Sequence, residues 1–261
     1  MVSRVIRALG LALALTCAGA HAGQGCETRR PTTAAVQRSL DLALATAQAL
    51  DASGAQVVLL ARAGQDLSRY GLRWSHAGWA YRDAAGHWRV LHKLNACGSA
   101  RGDLYRQGLA PFFMDDLHRY RAGWVVPTPA LQAKLRPLLM DDQHIAVLHQ
   151  PRYSMVAYPW ATRFQQSNQW AIETLALAAE PQADRRDRAQ AWLKLQGYTP
   201  TVIHLGSFER LGASVSQVHI SFDDHPPAQR FTGRIATVTV DSIFGWLEQR
   251  HLAGPVQEIA R

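Results

Sequence analysis

The feature that most restricts this chain is a pair of runs, Trp74 to Tyr81 (WSHAGWAY) and His87 to Leu94 (HWRVLHKL), separated by Asp83-Ala84-Ala85-Gly86. Both runs are rich in the aromatic and aliphatic residues that strands favour. A short connection ending in glycine joins such runs as an antiparallel hairpin. If the loop has three residues and Gly86 is left-handed, His76 lies opposite Leu94 and His92 opposite Gly78. Both imidazoles then share one face as diagonal neighbours. A two-residue loop would put them on opposite faces.

Around this hairpin the chain reads as α+β, an antiparallel sheet flanked by helices. A helix is predicted from Thr32 or Thr33 to Leu50, stopped by Ser53-Gly54. Ala55 to Arg62 (AQVVLLAR) reads as a buried strand. Glycines 98, 102 and 108 predict an irregular stretch from Asn95 to Asp116, with PFFMDDL as a short helix or lid. Trp124 to Val126 is a predicted strand, and Thr128 or Pro129 opens a helix through Leu139. Further on, Ala183 to Leu195 is a charged amphipathic helix. Thr201 to Leu205, Ala213 to Phe222 and Ile235 to Val240 are strands, and Asp241 or Ser242 caps a closing helix.

The N-terminus carries an export pattern. Arg4 and Arg7 precede the apolar LGLALALT, and Ala20-His21-Ala22 is a small-x-small cleavage site. Residues 1–22 are expected to be a signal peptide, and residues 23–261 one exported, periplasmic α+β domain. Thr16 before Cys17 is a poor lipidation context. The apolar run is too short to span a bilayer, so no transmembrane anchor is expected after cleavage. Losing Arg4 and Arg7 lowers the net charge from +8 to +6. The arginines are scattered, without the interleaved aromatics of a nucleic-acid surface, so nucleic acid is not an expected partner. Cys26 and Cys97 remain after cleavage, and in an oxidising compartment they are expected to pair. Closing that loop is worth about 4 kcal/mol on the chain-entropy model.

Candidate chemistry centres on Pro151 to Ala176, PRYSMVAYPWATRFQQSNQWAIETLA. Phe164, Asn168, Ala171, Ile172, Leu175 and Ala179 recur at helical spacing, and Thr162 with Gln165 reads as a capping box. Ser167 and Asn168 then fall near the first turns, where free N–H groups and the helix dipole favour developing negative charge. Ser167 is either a nucleophile there or a residue that helps the helix start. His76, between a small residue and Ala-Gly, has room before its ring and suits a general base. His92 could orient it as a third member. Gln165 or Gln166 could serve an oxyanion, with Asn168, Trp170, Tyr158 and Trp74 lining a groove. Asp223-Asp224-His225 is too consecutive for one ion, and neither metal nor cofactor is expected.

The order of a small-His-x-Gly strand, a hairpin, and later a polar knot opening a helix resembles circularly permuted papain-like (NlpC-type) domains. That resemblance implies a nucleophile at a helix N-terminus and a histidine base on a neighbouring strand, with Ser167 standing where the superfamily has cysteine. Over nearly the whole mature region the chain also resembles a bacterial family catalogued as domain of unknown function 2145. The matching strings are RAGQDLSRYGLRWSHAG (from Arg62), VLHKLNACG (from Val90), GLAPFFMDD (from Gly108), LQGYTP (from Leu195), FDDHP (from Phe222), TVDSIFGWL (from Thr239) and the stretch from Tyr153 to Ala176. The resemblance implies an exported domain and no assigned activity. Two functional readings follow. One is a binding or assembly module for an envelope peptide, glycan, lipid or protein. The other is an amidase or esterase using Ser167, His76 and His92.

Overall fold

The computed structural model describes residues 30–96, 98–206 and 219–261. The first helix, α1 (Thr33–Ala52), starts where Thr32 caps it by accepting from the Ala35 N–H. Five strands follow: β1 (Val57–Ala63), β2 (His76–Arg82), β3 (Trp88–Asn95), β4 (Gly102–Gly108) and β5 (Arg119–Val125). The short helix α2 (Leu109–Phe113) lies between the last two. Then come α3 (Pro129–Met140), α4 (Asp142–Ile145), α5 (Ser167–Ala179) and α6 (Arg186–Leu195). The chain continues with β6 (Thr201–His204), α7 (Pro227–Thr232), β7 (Arg234–Thr237), α8 (Val240–Gln249) and β8 (Gln257–Ala260).

Six strands form one sheet in the order β4-β3-β2-β1-β5-β8. Every neighbouring pair in it is antiparallel. A two-stranded ribbon, β6-β7, stands apart. The fold is α+β, with helices flanking the central sheet.

Strand alternation divides the core in two. Leu59, Ala61, Ala77, Trp79, Tyr81 and Leu91 point to the side of α3, α5, α6 and α8. Val58, Leu60, Ala80, Val90, Ala122 and Trp124 point to the side of α1 and α2. Both faces of β1 are therefore buried, which explains its apolar run from Val57 to Ala61. Each fully buried large side chain, such as Trp79 or Phe112, contributes about 1.5–3 kcal/mol by leaving water.

The hairpin has the three-residue loop. Asp83 N–H donates to His87 O, and Gly86 takes φ +83°. Register runs from Arg82↔Trp88 to Trp79↔Leu91, which places Gly78 beside His92.

Several expectations need correction. Asn95 to Asp116 contains β4, a full edge partner of β3, and Gly102 and Gly108 bound that strand rather than interrupt it. The helix predicted to open at Thr162 begins at Ser167, because Gln165 is buried in an ion network and Gln166 occupies the cap without a side-chain cap bond. The closing helix is capped by Thr239 through a box with Ser242, two residues before Asp241. Strand β8 is short and largely exposed, with no apolar alternation to mark it in the sequence. Of the strand predicted over 213–222, residues 213–218 lie outside the described residues, and the remainder is not strand. Cys26 and Cys97 also lie outside them.

Candidate functional site

The hairpin and α5 meet where the β2–β3 ladder ends. Ladder pairing between the two strands ends at Trp79↔Leu91, so Ala77 N–H has no strand partner on that side. Asn168, in the first turn of α5, fills the gap. Its Oδ1 accepts from Ala77 N–H at 3.0 Å, and its Nδ2 reaches Ser75 O at 3.5 Å. The sequence stretches around His76 and Ser167 are thus joined through an asparagine amide and a strand backbone.

The imidazoles share a face, as the three-residue loop requires. His76 Nε2 lies 2.8 Å from His92 Nδ1, and His92 Nε2 lies 3.0 Å from Gln107 Oε1 on β4. Because a carbonyl oxygen can only accept, His92 carries its proton on Nε2 and offers Nδ1 as a lone pair. His76 then donates from Nε2, leaving Nδ1 as the free end of the relay. Phe112 of α2 covers both rings, with centroids 5.9 Å from His76 and 5.2 Å from His92. Arg62, paired across the sheet with His76, extends its guanidinium over the same phenyl ring. It also donates to Phe112 O and to the Asp115 carboxylate.

Burial is the main cause of the electrostatics here. It pushes the His76 pKa well below the usual imidazole range, and the Arg62 charge and His92 act in the same direction. The same two forces, burial and then Arg62, bring His92 to about 4. Both rings are neutral at ambient pH. Arg62 itself is held below the usual guanidinium range by burial, against the pull of Asp115.

Ser167 is elsewhere. It is the first residue of α5, which packs on the Trp79 face, whereas His76 alternates onto the Phe112 face. Trp79 Nε1 donates to Ala171 O of α5, which fixes the helix on that side. The hydroxyl neighbours the buried Tyr153 phenol, whose pKa burial raises and Ser167 lowers. The structure brings His76 and His92 together, and among the described residues the Ser167 hydroxyl bonds the Tyr153 phenol and makes no hydrogen bond to either ring.

Most residues expected to line a groove are consumed internally. Trp74 and Trp170 are fully buried in the core. Gln166 Nε2 donates to Thr237 Oγ1 and Val238 O, each at 2.7 Å. Gln165 accepts from Lys93 at 2.9 Å and donates to Glu173 at 2.6 Å. Glu173 also accepts from Arg186 and Gln190. Lys93 sits fully buried in this network, and burial with the nearby Arg186 charge lowers its pKa to about 7. Tyr158 is half-buried, its ring 5.3 Å from His225. Asp224 accepts from Tyr158 N–H and contacts His225 Nδ1 at 3.1 Å. Among the described residues no three His, Cys, Asp or Glu side chains could hold one metal ion.

Sequence reasoning missed Arg62, Gln107 and Lys93. Parity could have found two of them. Arg62 alternates with Val58 and Leu60, and Lys93 is one residue from His92 and so faces the opposite layer. Gln107 lay in the stretch read as irregular.

A family of uncharacterised proteins conserved in bacteria, domain of unknown function 2145, matches residues 49–247. The chain belongs to that family. The match spans the hairpin, Arg62, Gln107 and all of α5, so both halves of the site lie within the family's domain. No curated protein and no solved structure matches the chain.

Proposed function

We propose that this member of the family is an exported protein that works in the bacterial envelope by binding or assembly, on a papain-like scaffold that does not hydrolyse. The observation that carries the non-hydrolytic reading is the separation of the two groups acyl transfer would need. A serine hydroxyl is far too weak an acid to react without a base in hydrogen-bond reach. Here the imidazole is engaged to His92 under Phe112, and the hydroxyl is engaged to the Tyr153 phenol. The helix dipole alone cannot supply the missing proton acceptor. Export is supported by the basic Arg4–Arg7 region, the apolar run and the Ala20-His21-Ala22 site. Among the described residues no helix is long and apolar enough to cross a membrane, which fits a mature chain without a helical anchor.

Two measurements test this. Fractionation with N-terminal sequencing should find the protein in the periplasm, starting at Gly23. A fluorophosphonate probe should leave no label that Ser167→Ala removes. Retention in the cytoplasm with Met1 intact would defeat the export claim. Label at Ser167 would defeat the binding claim and restore the hydrolase.

A further inference from the structure

The start of α1, the loop after α2, the first half of β5 and residues 260–261 enclose a groove of about 1110 Å3. Arg30, Arg38, Arg119, Arg121 and Arg261 line it, against two acidic side chains, Asp115 and Asp116. Asp115 is committed to Arg62, Asp116 has an interaction partner of its own, and Arg121 is paired with Glu258. The other four arginines meet no carboxylate at ion-pair distance among the described residues. Arg119 acts on Asp66 only from further away. Arg38 lies over the Tyr120 ring, 4.1 Å from its centroid, so its position is fixed by stacking rather than by an acid.

Gathering unpaired guanidinium groups in one concavity costs self-repulsion and focuses a positive potential into it. The planar fork of arginine matches the oxygens of phosphate and carboxylate. Four such groups exceed what a single carboxylate can neutralise, whereas a phosphate group brings up to two negative charges on three exposed oxygens. The first turn of α1 adds backbone donors and carries no acidic residue that would compete with an anion.

We propose that this groove binds a phosphate-bearing anion, its oxygens held by Arg30, Arg38, Arg119 and Arg261. The ligand is either a free phosphate compound or the headgroup of an anionic lipid. The proposal goes beyond the binding reading above and uses no residue near Ser167. A reactive serine would overturn that reading and leave this one standing.

Inorganic pyrophosphate, titrated calorimetrically into the mature protein at low ionic strength, should give saturable heat. Affinity should fall about tenfold or more in an Arg30→Gln, Arg119→Gln, Arg261→Gln triple variant, the loss expected when charge-assisted bonds are removed. All three side chains are exposed, and Arg119→Gln alone serves as a second variant should the triple one fail to fold. Flotation with phosphatidylglycerol vesicles, set against phosphatidylcholine vesicles, separates the sources. Flotation that pyrophosphate competes away supports the lipid headgroup, and pyrophosphate binding without flotation supports a free ligand. Absence of both, or binding unchanged in the folded variants, overturns the proposal.

Discussion

On the α5 face of the sheet, Lys93, Glu173 and Arg186 are buried together, and the two carboxylate oxygens accept from Gln165, Gln190 and two guanidinium nitrogens. On the α1–α2 face, Arg62, His76 and His92 are also buried, but their bonding is incomplete. Arg62 Nε has no partner, and among the described residues the His76 ring makes one hydrogen bond, to His92. A satisfied buried network rigidifies its surroundings, and a partly satisfied one keeps the capacity to respond to a proton or a neighbour. The first holds the knot before α5 in place. The second is where charge and protonation can change.

The largest effect expected from breaking this contrast is on the α5 face. Glu173→Ala strands Arg186 and its amide donors, and should cost about 3–5 kcal/mol in urea or thermal denaturation. A loss below that measured for any single change at the histidine relay would reverse the ranking of the two faces.

Acid should expose the other face next. His92 is depressed to about 4 in the folded state and is near 6.5 when unfolded. Between those values the unfolded chain takes up a proton that the folded chain refuses, so stability present above pH 6.5 is lost as pH falls toward 4. The loss is about 3 kcal/mol for His92, with His76 acting in the same sense. Arg62 reinforces the shift, and the Gln107 hydrogen bond and then Asp115 oppose it. Urea midpoints across this range should fall steeply for the native chain and less steeply for His92→Gln. Lys93 also gains stability with rising pH, but in the window from about 7 up to its unfolded value near 10.5. The two faces therefore titrate in separate ranges.

Gly78→Ala is a smaller intrusion. An added Cβ would lie 2.8 Å from both His92 Cβ and Val90 Cγ1, and overpacking of this kind costs about 1–3 kcal/mol. Gln107→Leu should cost about 1 kcal/mol, the usual worth of one hydrogen bond, while releasing the His92 tautomer.

What the sequence disclosed follows the same division. Periodicity of two, with one loop length, was enough to put His76 and His92 on one face, because side-chain alternation is a local rule. The helices α1, α3 and α8 were legible to within a few residues for the same reason. The separation of Ser167 from His76 was not legible. It depends on which layer α5 joins, and that is decided by Trp79, Ala171 and the core around them rather than by any motif. Thr162 and Gln165 have the spacing of a cap, yet burial of Gln165 against Glu173 overrides it. Strand β4 was hidden because glycines at its ends look like breakers when its pairing with β3 cannot be seen.

The claim that the histidine relay and the serine are independent can be read directly from the ring nitrogens. Nitrogen-15 NMR of the two imidazoles should show both neutral at pH 7, each protonated on Nε2. Ser167→Ala should leave the His76 signals unchanged, and Gln107→Leu should move those of His92. A His76 shift that follows Ser167→Ala and ignores Gln107→Leu would place hydroxyl and imidazole in contact, and contradict the separation on which the binding reading rests.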